Sequence, residues 1–120
     1  MKKTSYKFDF SQAPLCQDVW ADEDNRIVHT PSITLMTFQM SEGWSFADAG
    51  HSNEQMTLIL KGELEMTVGT ESYRLKSGQG VYVPPNTPHS GRILSKVAEG
   101  LDIFTPIRTE DRYKKAITVA

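Results

Sequence analysis

From residue 26 to residue 105 the chain is a succession of short runs in which apolar and polar side chains alternate or apolar ones follow one another. The runs are RIVH, ITLMTFQM, QMTLILK, ELEMTV, SYRLK, GVYV, SGRIL and EGLDIFT. A period of two is that of a β-strand, whose successive side chains point to opposite faces. Between the runs lie TPS, SEGWSFADAG, KG, GTE, SGQG and PPNTP, rich in the Gly, Pro, Ser and Asn that turns favour. No stretch has the length and period of a long helix. The pattern predicts an all-β chain, with short strands folded as a sandwich or barrel of antiparallel sheets.

Strand parity refines this. In residues 63–68, Leu64, Met66 and Val68 alternate with Glu63, Glu65 and Thr67, giving one dry and one wet face. In residues 55–61, Met56, Leu58 and Leu60 share one face while Gln55, Thr57 and Ile59 share the other. This strand is apolar on both sides, and the mixed Gln-Thr-Ile face suits the lining of a pocket. Asp102 and Phe104 share a face opposite Leu101 and Ile103. In VYV, either Tyr82 or the pair Val81 and Val83 faces inward. The terminal TEDRYKKAITVA reads as a short helix, an extra edge strand or an exchanged arm.

Composition narrows the function classes. At 120 residues, 38% hydrophobic and 23% charged, the chain is of ordinary globular character and the size of one domain. A net charge of −2 with no cluster of Lys or Arg offers no footprint for nucleic acid or anionic lipid. No stretch approaches the ~20 apolar residues that span a bilayer. The basic MKKTSYKFDF start lacks the apolar core of a signal peptide, so a cytoplasmic protein is expected. Cys16 is the only cysteine, which rules out an internal disulfide and a multi-thiolate zinc site. Trp20 and Trp44 are expected in core or interface, Trp44 also at a pocket rim.

Two stretches carry candidate chemistry. His51 stands just ahead of an alternating strand with Gln55 at its start. Pro84, Pro85 and Pro88 stiffen the turn before His89 and reduce the entropy lost in fixing its ring. Each histidine alone reads equally as a surface or capping residue; a metal needs them to converge.

The spacing resembles the two motifs of the cupin superfamily. Gly78, Pro84, Asn86 in a glycine place and His89 follow the second motif, whose final Asn position is Ile93. His51, Gln55 in the glutamate place and Gly62 follow the first, while Ala49 occupies its first histidine position. NEQMTLILKGELEMTVG, GVYVPPNTPHSG and LDIFTPIR further resemble the single-domain cupins of the pectin-degradation (KdgF) group.

The resemblance implies a double-stranded β-helix, or jelly roll, of two antiparallel sheets, with its core at about 26–106 and with dimerisation through edge strands and N-terminal residues. It also implies a divalent metal (Zn, Ni, Fe or Mn) on His51, Gln55 and His89. Ala49 leaves open a pocket that has lost its metal. Asp102, Phe104 and Arg108 match a segment at the site of that group, which opens unsaturated uronates to a keto form. The expected roles are proton transfer by Asp102, packing on a sugar ring by Phe104 and a carboxylate grip by Arg108. The alternatives are an exposed edge Asp and a surface ion pair from Arg108 to Glu110 or Asp111. Other open readings are a non-catalytic binder of a small anion and an iron or manganese oxygenase or lyase. His29 is a further candidate to reach inward. By the parity of an extended 47–51 segment, Asp48 points away from His51, as Glu54 does from Gln55's face.

Overall fold

The computed structural model describes residues 5–13 and 25–109, and the backbone of Ile117–Thr118. Cys16, Trp20, Glu110 and Asp111 lie outside the described residues. After a short 3-10 turn at Phe10–Gln12, the strands are β1 (Ile27–His29), β2 (Thr34–Ser41), β3 (Ser45–Asp48), β4 (Glu54–Lys61) and β5 (Glu63–Val68). They continue with β6 (Glu71–Lys76), β7 (Gly80–Val83), β8 (His89–Ile93), β9 (Val97–Thr105) and β10 (Ile117–Thr118). Where the sequence alternates, the backbone is extended, and it breaks where Gly, Pro, Ser and Asn collect.

Two sheets result. One has the order β10-β1-β2-β9-β4-β7 and the other β3-β8-β5-β6. Neighbouring strands are antiparallel except β10, which adds to the edge beside β1 in parallel. The sheets face each other as the jelly roll that the motifs imply. Of the three readings of the tail, residues 117–118 take that of an edge strand. Among the described residues no helix is long and apolar enough to cross a membrane.

The core lies between the sheets. Phe38, Met40, Ile59 and Val83 of the larger sheet meet Leu64, Met66, Leu75 and Ile93 of the smaller one. Ile93, at the motif's final Asn position, is 1% exposed and belongs to this core. A second cluster of Ile27, Met36 and Phe104 closes the other end of the larger sheet. Trp44 and Phe46 pack against the main core from β3 and the turn before it. Val83 is fully buried and Tyr82 exposed, so the valines of VYV face inward.

One strand was not expected. SEGWSFADAG reads as a break because of its Gly and Ser, yet Ser45–Asp48 pairs along its length with β8, Ser45 opposite Arg92 and Asp48 opposite His89. Cross-strand hydrogen bonds and the burial of Phe46 outweigh the local preference there.

The alternation on β5 can be tested by adjacent substitutions. Met66→Ala, at a residue 1% exposed, should lower stability in urea by about 2–5 kcal/mol, and Glu65→Ala by no more than about 1 kcal/mol. Equal effects would contradict the assignment of faces.

Candidate functional site

The inner face of the larger sheet builds the floor of the site in two rungs. Thr34, Phe104, Gln55 and Val83 stand opposite one another across β2, β9, β4 and β7, and Met36, Asp102 and Thr57 form the next rung. Directly opposed residues of antiparallel strands share a face. Gln55, Thr57, Asp102 and Phe104 are therefore neighbours, and all are buried. Met36, Phe38, Met40 and Leu64 make the apolar depth of the cavity above them, while Asp48, Gln55, His89, Asp102 and Arg108 supply its polar lining. The cavity leaves about 40 Å³ for the centres of water-sized molecules.

A buried polar cluster spans β4 and β9. The Thr57 hydroxyl donates to Asp102 Oδ1 at 2.6 Å, and Gln55 Nε2 donates to Thr57 Oγ1 at 3.0 Å and to Asp102 Oδ1 at 3.4 Å. That leaves Gln55 Oε1 to accept from His51 Nε2 at 2.9 Å. Burial dominates the charge state of Asp102 and pushes its pKa up to about 6. The Thr57 hydroxyl, the electrostatic influence of the nearby His89 and Arg108, and the Gln55 amide oppose that rise without cancelling it. Burial, and then the charge of Arg108, draw His51 below the ordinary imidazole value, which favours the neutral, ligating form near pH 7.

His51 and His89 are brought together by a junction of two turns. The Asn86 N–H donates to the His51 carbonyl at 2.6 Å. Gly50 has φ +112, and a Cβ there would lie 3.0 Å from the Asn86 carbonyl carbon and 3.1 Å from Thr87 N. Only glycine fits both the conformation and the approach. Asn86, in the motif's glycine place, has φ 56, a left-handed conformation that Asn adopts more readily than most residues. The two rings end edge to face with centroids 5.2 Å apart, and His51 also meets the Phe104 ring edge to face at 5.6 Å. His89 Nδ1 donates to the Thr87 carbonyl at 2.9 Å, which fixes the tautomer with a lone pair on Nε2.

Asp48 joins them. It stands opposite His89 in the β3–β8 ladder and so points to the same inner face. The turn at Gly50 breaks the extended parity that would have separated Asp48 from His51. Its Oδ1 accepts the Gly50 N–H at 2.8 Å, holding the turn closed. Ligand atoms of Asp48, His51 and His89 all lie within 4.8 Å of one another. Extended parity thus fails here, and Asp48 is the site residue that sequence reasoning passed over. Gly50, two residues on, is the signal that could have shown it.

This donor set fits a divalent ion. Two imidazoles and a carboxylate converge, with the Gln55 amide oxygen bonded to one imidazole, and His51 Nδ1 is buried with no hydrogen-bond partner among the described residues. Carboxylate and imidazole together suit zinc, iron, manganese or nickel.

Arg108 is placed by two buried side chains. Asn53 Nδ2 donates to the Pro106 carbonyl at 2.5 Å and the Ile107 carbonyl at 3.4 Å, and Arg108 N donates to Thr34 Oγ1 at 2.9 Å. The guanidinium lies over the Phe104 ring, 4.9 Å from its centroid, and is buried. His29 is buried as well but bonds Thr34 Oγ1 at 2.8 Å and stands outside the His/Asp group.

A family model for the cupin domain matches residues 36–104, more than half of the chain. The chain belongs to the cupin domain family. Among solved structures it is similar to KdgF from Halomonas sp., with 24% identity and TM-score 0.70 over 77% of this chain and 87% of that one. It is also similar to an RmlC-like cupin from Shewanella frigidimarina NCIMB 400, with 19% identity and TM-score 0.75 over 88% and 96%. At these identities the likeness concerns the cupin fold. Among curated proteins, uncharacterized protein MJ1618 of Methanocaldococcus jannaschii is 38% identical over 39 residues. That match covers 32% of this cupin and 31% of the relative.

The buried carboxyl gives a pH test on metal-free protein. Folded, Asp102 keeps its proton to about pH 6, whereas an unfolded chain releases it near the ordinary 3.8. Stability present below the lower value is therefore lost as pH rises through the upper one. Asp102→Asn cannot ionise. Relative to wild type it should gain roughly 3 kcal/mol between about pH 4 and 7 in urea melts. A difference independent of pH would contradict the buried, protonated carboxyl. Gly50→Ala should cost about 1–3 kcal/mol, whereas Asn86→Gly should be tolerated, both read as thermal melting shifts.

Proposed function

We propose that this cupin is a small metal-assisted enzyme acting on a carboxylated, sugar-like molecule, with ring opening and ketonisation of an unsaturated uronate as the reaction. One observation carries the reading: a metal-type donor set, a buried carboxyl with a raised pKa and a buried guanidinium share one cavity. Asp48, His51, Gln55 and His89 would hold the ion, whose Lewis acidity would polarise a substrate oxygen. The choice of substrate is supported by likeness of fold to KdgF of Halomonas and by the resemblance of the Asp102, Phe104 and Arg108 segment to the pectin-degradation group.

The chain's own groups divide the remaining work. Arg108, held over the Phe104 ring, carries a planar fork suited to a carboxylate. Both hydrogen bonds to Asp102 fall on Oδ1, which leaves Oδ2 to carry the proton. Ring opening removes a proton from the hemiacetal hydroxyl, and ketonisation delivers one to the enol carbon. A carboxyl that titrates near pH 6 can take and return it. The apolar depth beside Met36, Phe38 and Leu64 keeps bulk water from the reacting atoms.

Asp48 favours a second reading. Two histidines and one carboxylate are the donors of non-haem iron sites, so an iron or manganese oxygenase or lyase gains support from the carboxylate that Gln55 does not provide.

Tag-free protein should carry about one divalent ion per chain by elemental analysis, and Asp48→Ala should bind it roughly tenfold more weakly or worse. No metal after soaking with zinc, nickel, iron or manganese would leave a non-catalytic binder. Turnover of an unsaturated uronate should fall about 10²–10⁴-fold in Asp102→Asn with substrate binding retained. Undiminished turnover would remove Asp102 from the mechanism.

A further inference from the structure

Which end of the Gln55 amide faces His51 decides what the site offers. An oxygen there can bind a cation, whereas an NH2 group would repel one. The two ends have nearly the same shape, so packing does not choose between them and hydrogen bonds do. Gln55 is buried, which keeps bulk water out of the choice. Its Nε2 reaches Asp102 Oδ1 only at 3.4 Å, a long bond. Thr57 Oγ1, two residues along the same strand, is closer to Nε2 at 3.0 Å. Thr57 is itself buried, and its hydroxyl gives its one proton to Asp102 Oδ1 at 2.6 Å. Lone pairs are all that the hydroxyl has left, and they call for a donor from Gln55. A reversed amide would set Oε1 against an oxygen whose proton is already committed.

We propose that Thr57 is a positioning residue whose hydroxyl orients the Gln55 amide, so that Oε1 and not the NH2 group is presented to His51. The orientation needs no ion, but its value for holding one rests on the proposed function. His51 supplies a signature of it. With Oε1 accepting, the ring carries its proton on Nε2, and Nδ1, buried without a hydrogen-bond partner among the described residues, is the bare nitrogen. A reversed amide would donate to Nε2 and move the proton to Nδ1, leaving a buried N–H there without an acceptor. The oxygen-first arrangement avoids that cost.

Nitrogen-15 shifts of the His51 ring in metal-free protein at about pH 8, where an imidazole is neutral, read the orientation without ion or substrate. Wild type and Thr57→Ser should carry the proton on Nε2. Thr57→Val, similar in shape but lacking the hydroxyl, should carry it at least partly on Nδ1, and Thr57→Ala should match Thr57→Val. Zinc affinity, measured by competition with a chromophoric chelator, should fall roughly tenfold in Thr57→Val and stay near wild type in Thr57→Ser. A proton that stays on Nε2 in both hydroxyl-free variants, or Thr57→Ser behaving as they do, would overturn the proposal. A proton that moves in protein taking up no zinc would uphold the role of Thr57 and sink the proposed metal centre instead.

Discussion

The register of β4 against β9 is the constraint on which the site rests. A slip of one residue would turn Gln55, Thr57, Asp102 and Phe104 outward and bring Met56, Leu58, Leu101 and Ile103 in. Apolar side chains would then still fill the interior, so hydrophobic patterning alone does not choose. Two local features do. Gly100 stands between Phe38 on β2 and Ile59 on β4, and any side chain there would strike the Phe38 ring and the Leu58 carbonyl. The Gln55–Thr57–Asp102 hydrogen bonds form only in the observed register, and breaking them would strand buried polar groups.

That cluster is costly for stability and useful for chemistry. A carboxyl this deeply buried keeps its proton to a higher pH than a surface one, because no full positive charge bonds to it directly and two neutral donors serve instead. The same Gln55 amide reaches His51. Proton-handling and metal-type groups are thereby joined through one side chain with a single orientation.

Much of the architecture was readable from residue order. Alternation located eight strands, and the face of β4 assigned to a pocket by its Gln, Thr and Ile is the buried one. His51, Gln55, His89, Asp102, Phe104 and Arg108 do gather at one end of the sandwich. The rest depended on tertiary contacts. β3 hides in a Gly- and Ser-rich stretch because its extended form comes from pairing with β8. Asp48 escaped because parity assumes an unbroken strand, and the positive-φ turn at Gly50 breaks it. The placing of Arg108 depends on Asn53 and Thr34, far away in sequence, which hold the backbone of residues 106–108, with the guanidinium over Phe104.

Asp48 and His89 belong to one sheet and Gln55 to the other, with His51 on the turn between them. An occupant held by all four acts as a clasp across the open rim of the sandwich. Loading would then tighten the mouth as well as equip it, and the free energy of capture would reappear as resistance to thermal opening of that rim. Among the described residues the two walls are also joined at that end by the short backbone tie between the turns at Asn86 and His51 and by the bond from His51 to Gln55.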